Sequence, residues 1–132
     1  MTRKRILLAK MGLDCHDTGI ITVAAMLRDA GHEVIYIGLH NSAEQVIKVV
    51  VEEGVDAVGI SFLSGQHMTQ VRRLLERMRA EHVAVPVFCG GVIPSDDAAE
   101  LQALGVADVF TPGTLTGEVI ERVDRAMAGA RA

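Results

Sequence analysis

Short apolar runs and amphipathic stretches alternate five times along this chain, and that alternation constrains its fold more than any other feature. Arg5–Ala9 reads as a short buried strand. Ile20, Val23, Ala24 and Leu27 then recur on one face of a helix over Ile20–Ala30, and Gly31 stops it. Val34–Ile37 is a second strand. Ser42 and Gln45 make a capping box, because the hydroxyl and the amide can each satisfy a free backbone donor. The helix that follows buries Val46, Val49 and Val50 and ends at Gly54. Ala57–Ile60 is a third strand, and Val71, Leu74, Leu75 and Met78 fall at helical spacing behind it. Pro86–Cys89 is a fourth strand. Pro94 to Leu104 is a helix with Asp96 and Asp97 in its first turn, where the macrodipole favours anions, and Gly105 closes it. Val106–Phe110 is a fifth strand. Thr116 can cap the last helix, whose inward face is Val119, Ile120 and Val123.

Five β-α units in strict alternation predict an α/β fold with helices on both faces of a parallel sheet. Right-handed crossovers leave few topologies. The expectation is a flavodoxin-like (Rossmann-like), doubly wound, five-stranded sheet in the order 2-1-3-4-5. A length of 132 residues suits one core, and there is no linker, repeat or low-complexity stretch. The chain is therefore read as a single domain over 1–132.

The formal charge of -4 offers no electrostatic footprint for nucleic acid. The two cysteines, Cys15 and Cys89, form neither a CxxC pair nor a zinc-finger spacing, and read as reduced thiols. Lys10 interrupts the first apolar run, which argues against a secretory segment. No apolar stretch approaches the ~20 residues that span a bilayer. A cytoplasmic location is expected, with neither nucleic acid nor membrane as partner.

Sheets of this kind bind ligands outside the carboxyl ends of their strands. Asp14-Cys15-His16-Asp17-Thr18-Gly19 follows the first strand and Ser61-Phe62-Leu63-Ser64-Gly65 the third. Gly90-Gly91-Val92-Ile93-Pro94 follows the fourth and Thr111-Pro112-Gly113-Thr114 the fifth. In the expected order all four loops can line one crevice. Singly, each has an ordinary explanation: Ser61 and Pro112-Gly113 as turn residues, Gly90-Gly91 as a tight turn, His16 as a cap or a surface residue. Together, the small residues would let something long and flat lie against the backbone, with His16 at the mouth.

Several chemistries fit poorly. A metal site built by protein alone needs about four ligands, and contiguous Asp14, Cys15 and His16 cannot all point at one ion. Cys15 and His16 are also a poor nucleophile pair, since adjacent side chains diverge and no third group orients the base. There is no GxxxxGK[ST] and no dinucleotide fingerprint. A phospho-receiver would need an acceptor Asp where Ser61 stands. What is left is a metal that brings most of its own ligands, so that a single imidazole suffices. Asp14 can take the second ring N–H of that imidazole and fix its tautomer. Gly19 permits close approach of a large, macrocyclic group.

Asp14-x-His16-x-x-Gly19, Ser61-x-Leu63 and Gly90-Gly91 stand in the order of a DxHxxG, SxL, GG pattern. On these residues the chain resembles the cobalamin-binding domain of the methylmalonyl-CoA mutase family. "KMGLDCHDTG", "LRDAGHEVIYIGLH", "LSGQHMT" and "GGVIPSDDAAELQALGV" extend the resemblance over almost the whole length. Cys15 and Thr18 depart from it, where relatives often have Gly and Arg.

The resemblance implies cobalamin bound with its dimethylbenzimidazole detached from cobalt. His16 would be the lower axial ligand to cobalt, held by Asp14, with Asp17 and Gly19 among the cofactor contacts. Ser61 would hydrogen-bond the benzimidazole. Leu63, Gly90 and Gly91 would line the slot for the nucleotide tail, and Gly113 and Thr114 would complete it. The implied cofactor is adenosylcobalamin, and the implied reaction is a radical 1,2-rearrangement of an acyl-CoA, of methylmalonyl or 2-hydroxyisobutyryl type. Its substrate would sit in a TIM barrel, which needs about 250 residues. The chain is thus expected to be a small subunit, inactive alone and without catalytic residues of its own, that works with a large barrel subunit. A glutamate-mutase-like small subunit, a corrinoid methyl-transfer protein and a cobalamin sensor are the alternatives.

Overall fold

The β-branched and leucine-rich runs form strands that hydrogen-bond side by side. The computed structural model describes residues 4–10, 18–38, 41–62, 67–91, 93–111, 114 and 116–130. Along them run β1 (Arg5–Lys10), α1 (Thr18–Asp29), β2 (Glu33–Tyr36), α2 (Ala43–Glu53) and β3 (Ala57–Phe62). There follow α3 (His67–Ala80), β4 (Val87–Gly91), α4 (Ser95–Leu104), β5 (Asp108–Phe110) and α5 (Thr116–Ala130). The strands pair in the order β2-β1-β3-β4-β5, parallel throughout, as the alternation predicts.

Successive strand residues point to opposite faces, and both faces are covered. Leu7, Val58, Ile60, Val87 and Cys89 pack beneath α2, α3 and α4 with Val46, Leu74 and Leu101. Ile6, Leu8, Ala57 and Phe88 meet α1 and α5 through Ile20, Leu27, Val119, Val123 and Met127. Local signals hold where expected. The Ser42 N–H donates to Gln45 Oε1 at 2.7 Å and the Gln45 N–H to Ser42 Oγ at 3.2 Å, completing the capping box. Gly54 ends α2 in the left-handed region at φ 59, a conformation that glycine adopts without a Cβ penalty. Asn41 ties the entry of α2 to the end of β1, its amide donating to the carbonyls of Lys10 (3.1 Å) and Gly38 (2.8 Å).

Three strands run further toward their carboxyl ends than the apolar pattern suggests. β1 includes Lys10, β3 includes Ser61 and Phe62, and β4 includes Gly90 and Gly91. The cause is pairing: Lys10 opposes Ser61, Ser61 opposes Gly90 and Phe62 opposes Gly91. The ladder thus holds Lys10, Gly90 and Gly91, which have little strand preference of their own. Conversely, β5 starts only at Asp108, because the Val106 N–H is used to close α4 on the Leu101 carbonyl. Thr116 is the first residue of α5 rather than its cap. Among the described residues no helix is long and apolar enough to cross a membrane.

Candidate functional site

The register sets Lys10, Ser61, Gly90 and Phe110 in one row across the sheet. Leu8, Gly59, Phe88 and Asp108 form the row behind it. Both rows face α1 and α5. At the middle of that face stand two glycines and a serine, where the opposite face carries Val58, Ile60 and Cys89. The result is a cavity of about 360 Å³ between the sheet and the two helices. Ser61, Gly90 and Gly91 line it from the sheet, Ile20 and Val23 from α1, and Val119 and Val123 from α5.

The glycines make the hollow. A Cβ on Gly59 would come within 2.6 Å of Leu8 Cδ2 and push that side chain aside. A Cβ on Gly90 would meet nothing nearer than the Phe110 carbonyl oxygen at 3.6 Å, so a longer side chain there would grow into the cavity. Gly91 has φ 126, a backbone conformation that other residues rarely adopt.

One wall is aromatic. The Phe88 and Phe110 rings stack with centroids 5.9 Å apart at 28°. The Arg122 guanidinium lies 4.6 Å over Phe110, which fixes that ring from behind. Arg122 Nε donates to Asp108 Oδ2 at 2.6 Å, and its Nη2 donates to the Val109 carbonyl at 3.2 Å. Burial on its own would raise the Asp108 carboxyl. The hydrogen bonds from Arg122 and the Val109 N–H, with the charges of Arg122 and Arg125, outweigh it and hold the group below the usual carboxylate range. Thr114 closes the turn beyond β5, its N–H and hydroxyl both donating to the Thr111 carbonyl (3.2 and 2.8 Å).

Ser61 supplies the polar group. Lys10, only 1% exposed, brings its ammonium to 3.4 Å from Ser61 Oγ and 3.5 Å from the Ser61 carbonyl. An ammonium only donates. Ser61 Oγ is therefore the acceptor of that contact, and its own hydrogen is left for an acceptor in the cavity. Cys89 contributes no chemistry: burial pushes its thiol up to about 12, which keeps it protonated.

Of the residues singled out from sequence, Ser61, Gly90, Gly91 and Thr114 all line this one cavity. Gly19 lies in the first turn of α1. Asp14, His16, Asp17, Leu63 and Gly113 lie outside the described residues. Sequence reading missed Gly59, Lys10 and the Phe88–Phe110 wall. A glycine inside the run Ala57–Phe62 was the available signal for Gly59, since strand-interior glycines mark close approach of a ligand or of another backbone. For Lys10 it was a charge in an otherwise apolar strand.

The family model described as "B12 binding domain" matches residues 4–121. The chain is 42% identical over 130 residues to the 2-hydroxyisobutanoyl-CoA mutase small subunit of Aquincola tertiaricarbonis, covering 96% of this chain and 93% of that one. It is 43% identical over 120 residues to the pivalyl-CoA mutase small subunit of Xanthobacter autotrophicus, covering 90% and 80%. Among solved structures, a cobalamin-binding protein from Desulfitobacterium hafniense DCB-2 superposes with a TM-score of 0.80 at 24% identity, over 93% of this chain and 58% of that one, and so shares the fold. With the match running through all five strands and into the last helix, the chain belongs to the B12-binding domain family.

Proposed function

We propose that this single domain carries adenosylcobalamin as the small subunit of an acyl-CoA carbon-skeleton mutase. The observation that carries the reading is the hollow at Gly59, Ser61 and Gly90. About 360 Å³ is near the lower bound for a small-molecule pocket, which suits one nucleotide-sized arm of a ligand whose bulk lies outside. The donor set fits too: apolar and aromatic walls with one hydroxyl hydrogen to spare match a benzimidazole, which is flat and carries a ring-nitrogen acceptor. The small-subunit relatives support the mutase assignment and imply a larger partner.

In this reading His16 would hold cobalt through one ring nitrogen. Asp14 would accept the N–H of the other, orienting the ring and raising its basicity. Ser61 donates to the tail nitrogen while Lys10 keeps the serine oxygen turned toward itself. Gly90 and Gly91 leave room for the tail, and Leu63 would line its slot. Gly113 and Thr114 would complete the slot beyond β5, and Asp17 and Gly19 would be among the cofactor contacts. Bound adenosylcobalamin would supply the radical chemistry. This chain would contribute the imidazole ligand and hold the cofactor in a fixed orientation. The large partner, a TIM barrel in this reading, contributes the acyl-CoA pocket, and the site operates in the cytoplasm.

The test is electron paramagnetic resonance of the Co(II) cofactor bound to chain labelled with nitrogen-15 histidine. Superhyperfine splitting from the labelled nitrogen is expected, and is lost in His16→Ala. Splitting from the cofactor's own benzimidazole nitrogen alone would overturn the reading.

A further inference from the structure

Beneath the cavity lies a second histidine with a carboxylate partner, His32 and Asp124. The His32 side chain is 1% exposed and its Nε2 stands 2.8 Å from Asp124 Oδ1. Its Nδ1 accepts the Lys4 backbone N–H at 3.3 Å. That contact leaves Nδ1 without a proton, so Nε2 carries the hydrogen and donates it to Asp124. The His32 backbone N–H donates to the Leu27 carbonyl at 3.1 Å. One residue therefore ties together the carboxyl end of α1, the chain entering β1, and α5.

Those attachments lie directly below the hollow. Leu27 lines the cavity from α1, and Val123, the neighbour of Asp124, lines it from α5. Apolar packing between the two helices is non-directional. A buried imidazole–carboxylate hydrogen bond has a set length and angle. It can fix the separation of α1 and α5 where side-chain packing alone would let it drift. We propose that the His32–Asp124 pair is a positioning clamp that sets the width of the cavity floor, and with it the fit of the cofactor's nucleotide tail. The inference rests on the cobalamin reading above.

The test compares cobalamin with cobinamide, the same corrinoid without a nucleotide tail, binding to the full chain by titration calorimetry. Wild type should prefer cobalamin. Asp124→Ala strands a buried donor and should weaken cobalamin about tenfold while leaving cobinamide within about twofold. Asp124→Asn keeps an oxygen that accepts the same bond and should restore cobalamin binding. The Asp124 side chain is 29% exposed, so truncation there leaves little void; Asp124→Ser makes the same comparison should Asp124→Ala not fold. Arg77→Ala, which removes an exposed pair with Glu81 at the end of α3 on the opposite face of the sheet, should bind both corrinoids as wild type does. Equal loss of both corrinoids, or no loss of either, would overturn the clamp. A wild type that binds cobinamide as tightly as cobalamin would overturn the tail-cavity reading, and the clamp with it.

Discussion

The two faces of this sheet are built from the same strands and end up with opposite properties. Beneath α2, α3 and α4, Val58, Ile60, Val87 and Cys89 fill the space up to Val46, Leu74 and Leu101. Beneath α1 and α5 the strand positions in between are Gly59, Ser61 and Gly90, and the space stays open. A shift of one residue along β3 exchanges one face for the other. Stability and ligand room are therefore separated by side-chain parity, and the closed face can hold the fold while the open one accepts a guest.

That separation can be broken from either side. The largest effect is expected on the closed face: Leu74→Ala removes a side chain of 0% exposure and should cost about 2–5 kcal/mol of stability. Chemical denaturation measures it, and cobalamin affinity of the folded fraction should not change. If affinity falls with stability, the faces are coupled. On the open face the order reverses. Gly90→Leu should fold near wild-type stability, because its side chain grows into existing space, yet weaken cobalamin by about a hundredfold through steric overlap with the tail. Full affinity in this variant would place the ligand elsewhere.

The smallest expected effect sharpens the comparison at the rim of the open face. The folded Asp108 carboxyl lies below its usual range, because the Arg122 hydrogen bonds and charge outweigh burial. Its contribution to stability is thus fully present above the unfolded value of about 3.9 and disappears as pH falls through the folded value. Asp108→Asn should flatten the acid limb of the stability profile below about pH 4. An unchanged limb would show that this ion pair adds nothing.

The β-α alternation, the capping box at Ser42 and Gln45 and the stop at Gly54 were legible because each is a local or periodic signal. Ser61, Gly90 and Gly91 were legible as candidates because strand ends are predictable. Their convergence with Gly59 was not, because it depends on which strand residues oppose one another, and register is settled by pairing across the sheet. Lys10 reads as a break in an apolar run until its partner in β3 is known. The His32–Asp124 pair spans 92 residues of sequence, and nothing local at either end announces the other.

Cys89 turns the closed face into a built-in clock. Its thiol is 1% exposed and raised to about 12 by burial, so in the folded chain a neutral alkylating reagent finds almost no thiolate. Modification has to wait for the core beneath α3 and α4 to open. In a Cys15→Ser background the alkylation rate of Cys89 therefore counts opening events of the fold itself. A guest held on the far side of the sheet slows that count by stabilising the closed form, in proportion to its concentration over its dissociation constant. Occupancy of one face becomes readable as the silence of a sulfur on the other.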